Sequence, residues 1–362
     1  MASRLLANLT GRVPGLVAGA GKVAYLDVDD TIRETHGYAK QGTGYGYCGV
    51  RGLNAQLATL STPAPAPVIA GTRLRRGAAA SAHGAPRLIA EGLATAKKAG
   101  ATGTITVQAD SAYYNRDVVA AAHAGGARSS ITARIDPAVT AAISRIPETD
   151  WTPIQYPNAI FDEQEGRWIS DAEVAEAPYA AFTSRRKAEH VSARLIVRRV
   201  RRLNPSSARA GQDELLTVYR HHAVFTDSPL EMLKAEASHR DHAIVEQVIA
   251  NLKNGPLAHL PSGVFTANAA WLVCAATAFN LTRTAGDIAS DRRGWPTMPG
   301  SGGCTCPPPG PGRARGRRTS STAPTRALPP SPDHPSPTTR ARIFKWKRRA
   351  DRRPSTPKIR NR

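Results

Sequence analysis

Three acidic residues have settings that suit divalent metal binding. Asp29 lies in YLDVDDT, Asp110 in TITVQADSAYYN and Glu246 in HRDHAIVEQVIANLKNG. The first two end apolar runs with strand character, and the third sits in a helical pattern. Carboxylates delivered by two strand ends and one helix can hold two Mg²⁺ ions about 4 Å apart, which stabilise the attacking and leaving oxygens of phosphoryl transfer. The chemistry predicted is polynucleotidyl transfer, in which water attacks first and a freed 3′-hydroxyl attacks next. Mg²⁺ is the expected cofactor, with Mn²⁺ as a substitute.

Basic residues near Glu246 could serve the same chemistry. His242 precedes it by four residues and Lys253 follows it by seven, so a continuous helix would bring all three to one face. His239 and Arg240, one turn earlier, could also meet a DNA backbone. In SARLIVRRVRRLNP, the residues Arg198, Arg199, Arg201 and Arg202 form either a solvated strand face or a further DNA contact. Each group also has a plainer reading. Asp27, Asp29 and Asp30 could solvate a strand-end turn, and Asp110 could cap one. Glu246 could be an exposed helical glutamate, and Lys253 could complement a helix C-terminus.

The elements that must position these groups are legible as a pattern. Residues 1–22 read as a short helix and a Gly-rich linker, and Val23–Val28 as a strand ending at the acidic cluster. GTGYGYCGV over 42–50 suits a hairpin turn, and 53–60 and 68–71 read as further strands of a meander. Residues 85–100 form a helix with Pro86 near its start and Gly100 at its end. A strand over 102–107 then delivers Asp110, a helix over 115–124 opens on Asn115 as N-cap, and 129–133 is one more strand. The order β-β-β-α-β-α-β predicts a mixed α/β fold with a ribonuclease-H-like core in two parts, 23–134 and 228–287. A mostly β insertion over 135–227 separates the second carboxylate from the third. Residues 230–254 read as a single helix, and 267–285 as an apolar helix that Asn268, Asn280 and Arg283 assign to packing rather than to a membrane.

The bulk composition agrees with a polyanionic partner. Formal net charge is +21 over 362 residues. The charge is uneven: residues 291–362 hold 18 Lys and Arg against 3 Asp. Residues 288–362 have no hydrophobic period and read as a disordered basic Pro/Arg-rich tail, resembling GC-rich DNA translated out of frame. Cys304 and Cys306 form a C-x-C with no second ligand pair near it, which argues against zinc. Cys48 and Cys274 read as reduced, packed thiols. Sparse cysteine and the lack of a convincing signal peptide or membrane span predict a cytoplasmic, nucleoid-associated protein.

The motifs together resemble those of bacterial insertion-sequence transposases of the DDE class, in the cut-and-paste branch called DDE group 1. LDVDDT is similar to that branch's first-aspartate strand and QADSAYYN to its second. HRDHAIVEQVIANLKNGPLAHLPSGVFTANAAWL is similar to its third-motif helix and the segment after it. The resemblance covers about 23–287. It implies Asp29, Asp110 and Glu246 as the catalytic, metal-binding triad, Lys253 as the lysine seven residues beyond the glutamate, and a homodimer acting on transposon ends and target DNA. Two departures stand out. His239 and His242 occupy positions where related enzymes carry a Tyr and an Arg. Only 28 residues precede Asp29, so a truncated, inactive copy that lacks the family's N-terminal DNA-binding region is an expected outcome. The sequence leaves two rivals. LDVDDT also fits the D-x-D-x-T of haloacid-dehalogenase-like phosphatases, with Asp27 as nucleophile and Asp29 as acid/base. The other rival is a DNA-binding remnant without catalysis.

Overall fold

The structure, a computed structural model, describes residues 2–36, 40–162, 167–201, 219–241 and 244–291. The basic segment beyond residue 291, with Cys304 and Cys306, lies outside the described residues, as do Arg202 and His242.

The first strand, β1, runs Val23–Glu34, well past the expected end at Val28. It pairs antiparallel with β3 (Arg51–Ser61), which pairs antiparallel with β4 (Val68–Arg76); a two-residue strand β2 (Gly44–Tyr45) joins the same side of β3. Helix α2 (Ala85–Lys98) then leads to β5 (Thr104–Ala109), parallel to β1. Helix α3 (Arg116–Ala124), capped by the Asn115 side chain as expected, supplies the crossover to β6 (Arg128–Ala133), parallel to β5. The predicted β-β-β-α-β-α-β succession is therefore present.

The segment 135–227 is mostly β, but it is not a separate layer. After a short helix α4 (Pro137–Ile143), β7 (Thr152–Asp162), β8 (Arg167–Ala181), β9 (Val191–Arg201) and β10 (Tyr219–Thr226) form an antiparallel run. Strand β10 pairs antiparallel with β6, so one ten-stranded sheet has the order β2-β3-β1-β5-β6-β10-β9-β8-β7, with β4 beside β3.

Helices cover both faces of the first half of this sheet. On one face, Leu26, Val28, Ala58 and Val107 pack with Leu88, Leu93 and Val119 of α2 and α3, and with Leu6 of α1 (Ala2–Arg12). On the other, Leu53, Ala55 and Leu57 pack under α6 (Ile244–Lys253) and α7 (Phe265–Asp291). Burial on two faces means that the polar residues of these central strands, Asp27, Asp30, Asn54 and Gln56 among them, are buried as well as the apolar ones.

The single helix expected over 230–254 is two. Helix α5 (Met232–Arg240) buries Ala235, Glu236 and His239, whereas α6 buries Val245, Val248, Ile249 and Leu252. Position 246 lies seven residues after 239, so an unbroken helix with His239 inward would also drive Glu246 inward. The break after Arg240 re-phases the apolar stripe and leaves Glu246 exposed. Among the described residues, no helix is long and apolar enough to cross a membrane. On α7, Asn268 and Asn280 are buried, in keeping with the predicted packing role. Cys48 is a half-buried free thiol, as expected, but Cys274 is exposed rather than packed.

Candidate active site

The acidic cluster of β1 is divided by strand alternation. Asp27 and Asp29 point to the face covered by α5 and α6, and Asp30 points to the face covered by α2. Asp30 is buried in an ion pair with Arg75 of β4 at 2.5 Å, and Asn54 of β3 also donates to it. Arg75 is held in turn by Asn54 Oδ1 and by the carbonyls of Ala80, Ser81 and His83. Asp27 has no exposed surface and accepts from Ser61 Oγ at 3.1 Å. Only Asp29 of the three is partly exposed. A solvated strand-end turn is therefore not what LDVDD forms: the strand continues because two of its acids have buried partners.

Asp110 comes next to Asp29 through the sheet. Val28 lies opposite Ala109 in the last pair of the parallel β1–β5 ladder, whose strands run roughly 5 Å apart, and Asp29 and Asp110 are the next residue of each segment, just beyond that pair. Here β5 ends, while β1 continues along β3. This is the crevice position of open α/β sheets, outside the carboxyl ends of parallel strands, where ligands bind. Asp110 also caps the turn that follows, accepting from Ala112 N at 3.0 Å. That turn is anchored by Tyr113, which is fully buried and receives a hydrogen bond from Gln56 Nε2 at 3.2 Å. Tyr114 beside it packs on Phe182, with ring centroids 5.1 Å apart. The capping role and the placement of the carboxylate are one feature. Asp29 similarly accepts its neighbour's amide, Asp30 N, at 2.6 Å.

Glu246 is on α6, whose buried side chains pack on Leu57, the cross-strand partner of Asp29. The helix thus covers the correct face, but Glu246 itself is exposed. Among the described residues, no three His, Cys, Asp or Glu side chains come close enough together to hold an ion. The donor set is nonetheless one of hard carboxylate oxygens, the kind Mg²⁺ takes.

Lys253, in the last turn of α6, reaches the crevice. Burial lowers its pKa from the usual lysine value and the Arg33 guanidinium lowers it further, while Cys48 and Asp29 act in the opposite sense. Arg33, four residues beyond Asp29 on the same face of β1, donates to the carbonyl of Ala258 just past α6. The β2–β3 turn closes another side: the Tyr47 hydroxyl reaches the Asp30 carbonyl at 3.4 Å. Burial of that hydroxyl raises the Tyr47 pKa, and Asp30, Asp29, Cys48 and Asp110 raise it further. Sequence reasoning missed Arg33, Tyr47 and Cys48; only the period-2 placement of Arg33 relative to Asp29 was a usable signal.

The remaining sequence candidates sit elsewhere. His239 is buried under β6, its ring nitrogens 2.9 Å from Ser130 Oγ and Thr132 Oγ1, so it joins α5 to the sheet and is not presented to a phosphate. Arg240 lies over the Tyr156 ring and 3.6 Å from Glu236, and Arg198 donates to Tyr156 OH in the same group. Arg199 is buried between the Trp151 and Tyr219 rings and paired with Glu148 and Glu173. Arg198 and Arg240 therefore stitch the second half of the sheet to α5, whereas Arg199 ties β9 to β8, to β10 and to the segment before β7. Arg201 is exposed at the end of β9. Hollows of about 360 and 290 Å³ are lined by other residues than the carboxylates of the crevice.

Comparison with protein-family models gives no match, and comparison with curated proteins gives none either.

Proposed function

We propose that this chain is a metal-dependent polynucleotidyl transferase with a ribonuclease-H-like core, built like a DDE transposase and acting on double-stranded DNA. The observation that carries the reading is the placement of Asp29 and Asp110 each one residue beyond the Val28–Ala109 pair that ends the parallel β1–β5 ladder. Support also comes from strand order and direction. The run β4-β3-β1-β5-β6, antiparallel for three strands and then parallel for two, is the topology such a core requires. In this reading Asp29, Asp110 and Glu246 hold Mg²⁺, which would supply charge neutralisation and an activated water when bound. Asp29 and Asp110 are fixed in advance by their backbone hydrogen bonds, and the exposed Glu246 joins them as substrate and ions bind. Lys253 and Arg33 orient a phosphate of the bound strand as neighbouring positive charges. Homodimeric assembly belongs to the same proposal.

A phosphatase using Asp27 as nucleophile is disfavoured, because that carboxylate has no exposed surface and is already hydrogen-bonded. The test is nicking of supercoiled DNA by the full chain with Mg²⁺ or Mn²⁺. Asp29→Asn, Asp110→Asn and Glu246→Gln are each expected to lower the rate by about 10³-fold, the loss of several kcal/mol of transition-state stabilisation. Retained nicking in any one variant removes that residue from the triad. DNA binding without metal-dependent nicking in the unmodified chain would establish the non-catalytic alternative.

A further inference from the structure

Two tyrosines at the edge of the proposed site expose most of their surface, although the hydroxyl end of Tyr47 is partly enclosed. Tyr45 is 70 % and Tyr47 66 % exposed, although aromatic side chains ordinarily bury most of their area. They flank Gly46 in the β2–β3 connection, and that connection is held tightly in place. A Cβ on Gly46 would lie 2.5 Å from Ile32 Cγ1, one on Gly52 would meet the Arg33 carbonyl, and one on Gly77 would meet the Gly52 carbonyl. Backbone bonds from Gly46 N to Val50 O and from Gly49 N to Gly46 O, each 3.0 Å, close the turn. The tyrosines are therefore displayed by a fixed turn. The fixed turn sets the Tyr47 hydroxyl 3.4 Å from the Asp30 carbonyl and within the electrostatic reach of Asp29 and Asp110, so the ring is held beside the proposed site by the backbone of the turn.

We propose that Tyr47, assisted by Tyr45, is a stacking platform for an unpaired nucleobase of the DNA strand being processed. The proposal rests on the polynucleotidyl-transferase reading and adds the form of substrate: a nucleotide out of the duplex beside the reacting phosphate. A base within a duplex is stacked on both faces, so an aromatic ring can engage only one that has left the helix. The surroundings favour a nucleotide over a peptide or a lipid surface. Arg33 and Lys253 flank the same crevice and can take its phosphate.

The experiment uses the full chain with Ca²⁺ in place of Mg²⁺, and two DNAs of the same sequence, one blunt and one with a short single-stranded 3′ overhang carrying 2-aminopurine. The expected result is about tenfold tighter binding of the overhang DNA, with quenching of the 2-aminopurine fluorescence by stacking. Tyr47→Phe keeps both effects, because stacking needs the ring and not the hydroxyl. Tyr47→Ala loses both, its affinities for the two DNAs becoming equal, and Tyr45→Ala weakens the preference in part. Equal affinity of the wild type for the two DNAs, or a preference that survives Tyr47→Ala, overturns the platform and leaves the polynucleotide reading standing. Binding of neither DNA at low salt overturns both.

Discussion

At the scale of single residues, the division of labour among Asp27, Asp29 and Asp30 decides what the acidic cluster does. Alternation along β1 was readable from LDVDDT, but the identity of the exposed acid was not, since it depends on partners 34 and 45 residues away, Ser61 and Arg75. The Asp30–Arg75 pair is buried at both ends and lies directly behind Asp29. Removing one member leaves the other charge without a counterpart in a low-dielectric interior, which is far more costly than removing both. Arg75→Met is expected to destabilise the fold by about 3–5 kcal/mol, and the double variant Asp30→Leu with Arg75→Met to recover most of that. Urea unfolding of the three proteins measures it. A single-variant cost below about 1 kcal/mol would place the pair in the class of exposed ion pairs and remove it as the support of Asp29.

At the scale of elements, the alternating order of strands and helices over 23–133 was legible because each segment has one clear period and its own stop signals, such as Asn115 before α3. The later elements were harder to read. The α5–α6 break shows no Gly or Pro, and it is set by which side chains the sheet buries: His239 on one helix, Val245 and Val248 on the next. Likewise β10 could not be assigned to β6 from sequence, because pairing is a long-range property. Helix α7 carries one polar group whose role was legible in kind but not in partner. Asn280 accepts from Ile69 N at 2.8 Å and donates to Ile69 O at 2.9 Å, satisfying the backbone of strand β4 where the β3–β4 register shifts. Asn280→Leu is expected to cost about 2–4 kcal/mol by leaving two buried backbone groups unpaired, a fall of several degrees or more in melting temperature. Asn280→Asp, which still accepts but cannot donate, should fall between. If Asn280→Leu melts with the wild type, the edge of β4 is satisfied by other means.

At the scale of the whole molecule, charge and catalytic geometry come from different parts of the chain. The crevice, its carboxylates and the cations Arg33 and Lys253 all belong to the first 291 residues, whereas 18 of the 49 Lys and Arg lie between 291 and 362. Several arginines of the first part are also engaged internally: Arg75, Arg198 and Arg199 are held by Asp30, Tyr156 and Glu148 and so add little to a surface field. Attraction to DNA through counterion release depends on the cations that reach phosphates, not on the formal total. Deleting 292–362 is therefore expected to leave the thermal unfolding of the remaining chain unchanged while flattening the dependence of log affinity on log salt, by roughly 0.9 for each phosphate no longer neutralised. Measured by fluorescence anisotropy on blunt DNA across a salt series, a flatter slope with an intact Tyr47-dependent preference for an overhang would separate two contributions: long-range attraction from the C-terminal segment, and local recognition from the crevice. An unchanged slope would mean that cations of the folded part supply the attraction as well, and would place the DNA-binding surface at Arg33, Lys253 and Arg201.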